Sequence, residues 1–455
     1  MTKSRLSVAA LFCLAAGLVW ASLAERPDPR TVAPPGREEV VFWHFWGGED
    51  RRIVEGVVDR FNNSQDRHFV RAIAMPGNNL DMKLFLAVTG GDPPDLINQD
   101  DPIMADWAER GALMPLDEVA SAAEVEQLAG QLVPAAVRLG SYRGRMYGLC
   151  NGLDVRALYY NKSLLDAEGL APPTTLDELD EVAARTTLAD AEGRVTRFGY
   201  LPDPRRLWAW GIVFGGSFFD RDQRRVTADS ERVVAALEWM ASYRDRYGAA
   251  QVAAFRQGDQ SLPGKTFPLL AGRYAMVMDG QWRVRDIVAA QAEQLRAGEP
   301  VTEYGVCPLP PPVSGRSDAG WVNGNFFLVP RGARNSAGAW EFMKFWIGVG
   351  EHRGNAAETC VAGGWIPVLP SVAAEPVFQQ YLDEQPLFAE FVRLSAQPDQ
   401  VPTPVIPGAA YFYRTINDAA ATAMYVEAAD SPAALIERAS VDIQTHLDAI
   451  GSDAR

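Results

Sequence analysis

A chain of 455 residues is too long for one comfortable hydrophobic core, so two lobes of ordinary size are expected. Its 47% hydrophobic and 22% charged content is that of a globular protein, and its 12 tryptophans exceed what packing usually recruits. A formal net charge of −15 repels nucleic acid and anionic membrane surfaces and argues against both as partners, although a local arginine can still receive a small anion.

The N-terminus reads as an export signal over residues 1–24. Lys3 and Arg5 precede the apolar run LSVAALFCLAAGLVW, and small residues stand before Glu25 where a signal peptidase cuts. Cys13 follows Phe12, without the small residue that lipid attachment requires, so a lipid anchor is not expected; the apolar run is near the lower limit for spanning a bilayer, and an uncleaved anchor helix is the alternative to cleavage. Residues 25–37 are rich in proline and read as a tether. Beyond the signal, Cys150, Cys307 and Cys360 are an odd number with no metal-ligand spacing, and the four histidines form no cluster. Neither a metal nor a cofactor is expected, and the thiols read as packing groups.

Residues 40–44 form a short apolar run suited to a strand buried on both faces. Gly47 and Gly48 break it, and Ile53, Val54, Val57, Val58 and Phe61 then recur at helical spacing, with Asp50 as a candidate cap. With the β-rich HFVRAIAM that follows, this is a βαβ unit. Ligands of open α/β sheets sit beyond the carboxyl ends of the strands, which singles out Trp46 and Asp50. A further strand over residues 95–98 delivers Asp100 and Asp101. Adjacent carboxylates point in different directions, so they make a poor acid and base pair but good acceptors for hydroxyls, and Asp101 serves equally well as a helix cap.

The motifs VVFWHFWGGED, GDPPDLINQDD, GRMYGLCNGLDVRALYYNKSLLDAEGLAPPTTLDEL, GRYAMVMDGQW, YGVCPLPPP and GGWIPVLPSV follow one another in an order and spacing that resembles the large extracellular solute-binding proteins of bacterial sugar ABC importers. The resemblance implies a periplasmic-binding-protein fold of the α/β class, in which two α/β lobes joined by hinge strands enclose a ligand cleft. It implies a monomer that docks on a membrane permease. Lobe one would comprise residues 38–152 and 275–329, and lobe two residues 153–274 and 330–455.

On that reading the crossing segment carries Asp154, and MVMDGQW brings Gln281 and Trp282 to the cleft. GWVNGNFFLVP returns with Asn323 and Asn325, whose alternative role is turn chemistry beside Gly324. The next helix, RNSAGAWEFMKFW, would be capped at Asn335 or Ser336 and belong to lobe two, burying Trp340, Met343 and Phe345 or Trp346. Thr175 and Glu178 form a capping box and mark scaffold. Trp208, Trp210 and Trp365 are further candidate ligand rings, with Trp365 and Trp46 approaching from opposite lobes.

A sugar offers an apolar C–H face to aromatic rings and a rim of hydroxyls to Asp, Asn, Gln and Arg, and the candidate set has that mixed character. Two alternatives share parts of it. A secreted glycoside hydrolase would use similar aromatics and acids, although the chain has no nucleophile or nucleotide motif. A glycerol-phosphate-type binding protein would use Arg414, which could instead pair with Asp418 one turn on.

Overall fold

The computed structural model describes residues 32–75, 80–100, 103–259, 261–262 and 267–453. The expected signal, residues 25–31 of the tether and Asp101 lie outside the described residues.

The N-terminal half opens with the strand Glu38–His44, whose Val and aromatic residues alternate inward. It pairs in parallel with His68–Ala74 on one side and Leu96–Asp100 on the other. The helix Gly48–Ser64 between them buries Val54, Val57, Val58 and Phe61, which share one face because they recur at helical spacing. Its N-cap is Gly47, without a side-chain bond, so Asp50 is a first-turn acid and not the cap. Asp95 fastens two elements to this layer: its carboxylate accepts from the Val41 amide at 2.8 Å and from the Asn335 amide at 2.7 Å.

Two long antiparallel strands, Gly148–Asn161 and Gly320–Pro330, tie this layer to the rest of the molecule. In the mixed nine-stranded sheet the order is Met276–Gly280, Gly148–Asn161, Gly320–Pro330, Leu96–Asp100, Glu38–His44, His68–Ala74. Each long strand therefore belongs to the N-terminal layer at one end and to the C-terminal layer at the other. Their pairing shifts register between Asn325 and Phe326, where Gly152 and Cys150 are the partners and Asn151 is the extra residue. A bulge there bends the ribbon at the point where it passes between the lobes.

The packing differs in two places from the expected weave. Helix Ser336–Ile347, capped as expected by Asn335, whose side chain accepts from the Gly338 amide at 2.9 Å, lies on the N-terminal layer. Its Phe342 ring sits 5.5 Å from Phe42 and 5.2 Å from Phe61, so it packs with residues 38–64 and not with the lobe that begins at residue 153. Conversely, Met276–Gly280 pairs with residues 156–160 and Tyr304–Cys307 with residues 158–161, so the chain has not returned to the first lobe at residue 275. Both assignments depend on partners more than 100 residues away, which local pattern does not encode.

The remaining expectations on scaffold stand. The Thr175 and Glu178 capping box is formed, and Trp340, Met343, Phe345 and Trp346 are all buried. Burial pushes the Cys307 and Cys360 thiols up to about 12, so they pack as small apolar groups.

Candidate functional site

A cavity of about 950 Å³ opens in the C-terminal layer between the turn Pro204–Arg206, the strand Met276–Gly280 and the helix Ala409–Tyr425. The turn is held by Asp203, which accepts from the Arg205 amide at 2.9 Å and from the Arg205 Nη2 at 2.7 Å. Burial alone would raise the Asp203 pKa. The Arg205 hydrogen bond and the Arg256, Arg205 and Arg206 charges outweigh it and hold the carboxyl well below the usual range.

At the strand end, Asp279 accepts from Arg283 Nε at 2.9 Å and from Arg206 Nη2 at 3.5 Å. Here too burial opposes ionisation, and Arg283 and Arg206 reverse it, so the carboxylate stays charged. Tyr413 and Arg414 reach the cavity from the helix. The Arg414 guanidinium lies 5.8 Å above the Tyr411 ring and makes no hydrogen bond or ion pair with another described residue, Asp418 included.

Beside the cavity, where the two long strands pass between the layers, lies a buried polar cluster. Gln281 donates to Asp154 Oδ1 at 2.8 Å and to the Leu153 carbonyl at 3.1 Å, and Asn325 donates to Asp154 Oδ2 at 3.4 Å. Arg156 donates to Asn323 Oδ1 at 2.7 Å. Its guanidinium lies between two indoles, 4.8 Å from the Trp282 ring and 4.8 Å from the Trp321 ring. The Trp282 ring folds over Gly280, where a Cβ would stand 2.2 Å from it. Trp321 in turn packs 5.6 Å from Tyr413, so aromatic contact runs from the crossing strands to the cavity wall. Burial pushes the Asp154 pKa up, against the opposing influence of Arg156 and Gln281.

Of the residues expected to form the site, Asp154, Gln281, Trp282, Asn323 and Asn325 therefore meet, and Arg414 lines the adjoining cavity. The others do not join them. Trp46 and Trp365 do not face each other across a cleft: their rings touch at 5.6 Å, both stack on Trp346, and each is only 7% exposed. The Gly-flanked turn that suggested an exposed ring at Trp365 instead makes room for a buried one, because a Cβ on Gly363 would stand 2.6 Å from its indole.

Trp208 and Trp210 are both core residues. The first packs 4.2 Å from Phe218, and the second donates its indole N–H to the Tyr200 hydroxyl at 3.1 Å. Asp50 binds Arg285 at 2.8 Å, a link between helix Gly48–Ser64 of the first layer and helix Arg283–Ala297 of the second. Asp100 is exposed, pairs in register with Asn325, and does not line the cavity.

Sequence reasoning missed Asp203, Arg205, Arg206, Asp279, Arg283, Tyr413 and Arg156. The DPRRLWAW segment drew notice for its tryptophans, while its two arginines and aspartate are what face the cavity. The signal was present as a charge pair beside a proline turn, a pattern that surface loops share.

Residues 56–384 match the family model of the bacterial extracellular solute-binding proteins. The chain is 23% identical over 346 residues to a maltotriose-binding protein of Pyrococcus abyssi, covering 75% of this chain and 69% of that one. It is 22% identical to a maltooligosaccharide ABC transporter solute-binding lipoprotein of Streptococcus pneumoniae, covering 58% of each. Among solved structures, CpMnBP1 with mannotriose bound superposes with a TM-score of 0.74 at 24% identity, over 90% of this chain and 100% of that one. A cyclo/maltodextrin-binding protein complexed with maltotetraose gives 0.66 at 19%, over 91% and 98%.

Proposed function

The chain belongs to the bacterial extracellular solute-binding proteins, and we propose that it captures an oligosaccharide outside the cytoplasmic membrane and delivers it to the permease of an ABC importer. The observation that carries this reading is the cavity itself. Its volume of about 950 Å³ suits a ligand of several rings, and its wall sets the Tyr413 ring beside Asp and Arg side chains that bind hydroxyls. Maltotriose, maltooligosaccharide, mannotriose and maltotetraose in the names of similar proteins support the ligand class.

The two long strands act as the hinge, and the register shift at Asn325 and Phe326 is where they flex. The packing of Ser336–Ile347 on the first layer and the pairing of Met276–Gly280 with residues 156–160 support a first lobe of residues 38–152 and 325–384 and a second of residues 153–324 and 385–453. The ion pair of Asp50 with Arg285 spans them and favours the closed form. Residues 1–24 direct export and are removed, leaving a monomer in the periplasm or its equivalent. Among the described residues no helix is long and apolar enough to cross a membrane. The protein binds without turning its ligand over.

Calorimetric titration of the exported chain with manno- and malto-oligosaccharides tests this reading, with chromatography of the sugar after prolonged incubation. Saturable binding of intact sugar, with a more compact particle by small-angle scattering, supports it. Release of shorter sugars would make the protein a glycosidase, and an absence of binding across the panel would overturn the assignment of the cavity.

A further inference from the structure

Outside the crossing strands, the ion pair of Asp50 with Arg285 has a counterpart that also joins the lobes. Asp106 belongs to the helix Met104–Glu109, whose Met104, Ala105 and Trp107 are buried in the first lobe. Its Oδ1 accepts from the Gly408 amide at 2.7 Å, although the two residues stand 302 positions apart in the chain. Gly408 is the N-cap of the helix Ala409–Tyr425 of the second lobe, and that helix contributes Tyr413, Arg414 and Asn417 to the cavity wall.

A helix leaves its first amides without partners unless a side chain accepts from them, and a serine, aspartate or asparagine at the N-cap ordinarily does so. Here the N-cap has a φ of +81°, and a Cβ on it would stand 2.9 Å from the Leu447 side chain of the helix Pro432–Asp453. The position therefore takes glycine and offers no acceptor of its own. The cap comes instead from the other lobe. Burial pushes the Asp106 pKa up, against the Gly408 amide, the Arg110 and His446 charges and the Ala410 amide. The charge is thus costly where it stands, and the accepting oxygen is what the helix end requires. The Tyr411 ring lies 4.1 Å from that of His446, which holds the first turn on the second lobe independently of Asp106.

Resting on the two-lobe hinge reading above, we infer that Asp106 is an interlobe latch: closing the lobes brings its side chain to the N-terminus of the helix that bears Tyr413, and opening them withdraws it. Asp106 does not line the cavity, so it is a positioning residue. The cavity helix gains this cap only in the closed form. Closure and completion of the cavity wall are then one step, and a ligand that closes the cleft is bound more tightly by the free energy of the cap.

The test compares the whole protein with Asp106→Ala, which removes the acceptor, and with Asp106→Asn, which keeps it, because asparagine caps a helix about as well as aspartate does. Each is titrated calorimetrically with maltotriose and with mannotriose, and its unliganded form is measured by thermal melting and small-angle scattering. The expected result is that Asp106→Ala binds the tighter of the two sugars about 5-fold more weakly, while Asp106→Asn stays close to the unsubstituted protein. Neither change should lower the melting temperature of the unliganded form. Unchanged affinity in Asp106→Ala overturns the latch, and a lower melting temperature beside it identifies a fixed cap present in both forms. Asp106→Asn as weak as Asp106→Ala assigns the effect to charge and overturns the cap. If neither sugar binds, the saccharide reading fails and scattering alone decides the latch: a larger radius of gyration in Asp106→Ala than in the other two supports it, and three equal radii overturn it.

Discussion

Two tryptophan clusters flank the crossing strands, and they use the same ring in opposite ways. In the first, Trp46, Trp346 and Trp365 lie against one another at 5.6 to 5.7 Å, joined by His44 and by Phe327 below. In the second, Trp282 and Trp321 enclose the guanidinium of Arg156, and Trp321 continues to Tyr413 on the cavity wall. Aromatic faces that meet other aromatics bury area and close a core. Faces that meet a charge hold it in place beside a polar site. What a tryptophan does is decided by what it touches, and the count of tryptophans in a chain carries none of that information.

The comparison can be broken most directly at Trp365. If the first cluster is core, Trp365→Ala opens a cavity that its stacked neighbours cannot fill, and stability to urea should fall by about 3 to 5 kcal/mol. The affinity of the remaining folded protein for its ligand should change little. Lost affinity at near-normal stability would return Trp365 to the ligand site.

His44 sharpens the contrast by pH. Burial, followed by the Arg51 charge, lowers its pKa to about 4 from an ordinary 6.5. Between those values the unfolded chain binds a proton that the folded chain does not, so stability is full above about pH 6.5 and falls as pH drops toward 4. The loss reaches about 3 kcal/mol once both states are protonated. Denaturant titrations from pH 7 to pH 4 should show this fall, and His44→Phe, which keeps the ring contacts, should flatten it. A fall of the same size in the variant would place the titration elsewhere.

The second cluster should respond more gently, and to geometry more than to charge. Arg156→Lys keeps the positive charge beside Asp154 but replaces a plane that stacks on both indoles with a compact ammonium. A stability loss of about 1 to 2 kcal/mol is expected, together with weaker ligand binding because Tyr413 is held through Trp321. An unchanged affinity in this variant would separate the cluster from the cavity.

Much of the fold is legible in the sequence. Strand and helix periods are local, which is why Glu38–His44, Gly48–Ser64 and the helix capped by Asn335 could be read from spacing and cap residues. The family resemblance, carried by the order of several weak motifs, pointed to two lobes and to the importance of the crossing segments. Asp154, Gln281, Trp282, Asn323 and Asn325 were legible because they stand on those segments.

Other features depended on partners far away in the chain. Whether Ser336–Ile347 packs on one lobe or the other is set by Phe42 and Phe61, nearly 300 residues earlier. Whether Trp365 is buried is set by Trp46 and Trp346, and whether Arg414 is paired is set by where Asp203, Asp259 and Asp279 find their own arginines. The sequence by itself determined the elements, their order and the chemical types available to a site, because propensity, capping and hydrophobic period act over a few residues. Only the tertiary structure decided which rings became core and which charges were left over, because burial and ion pairing are settled between segments that meet only when the chain has folded.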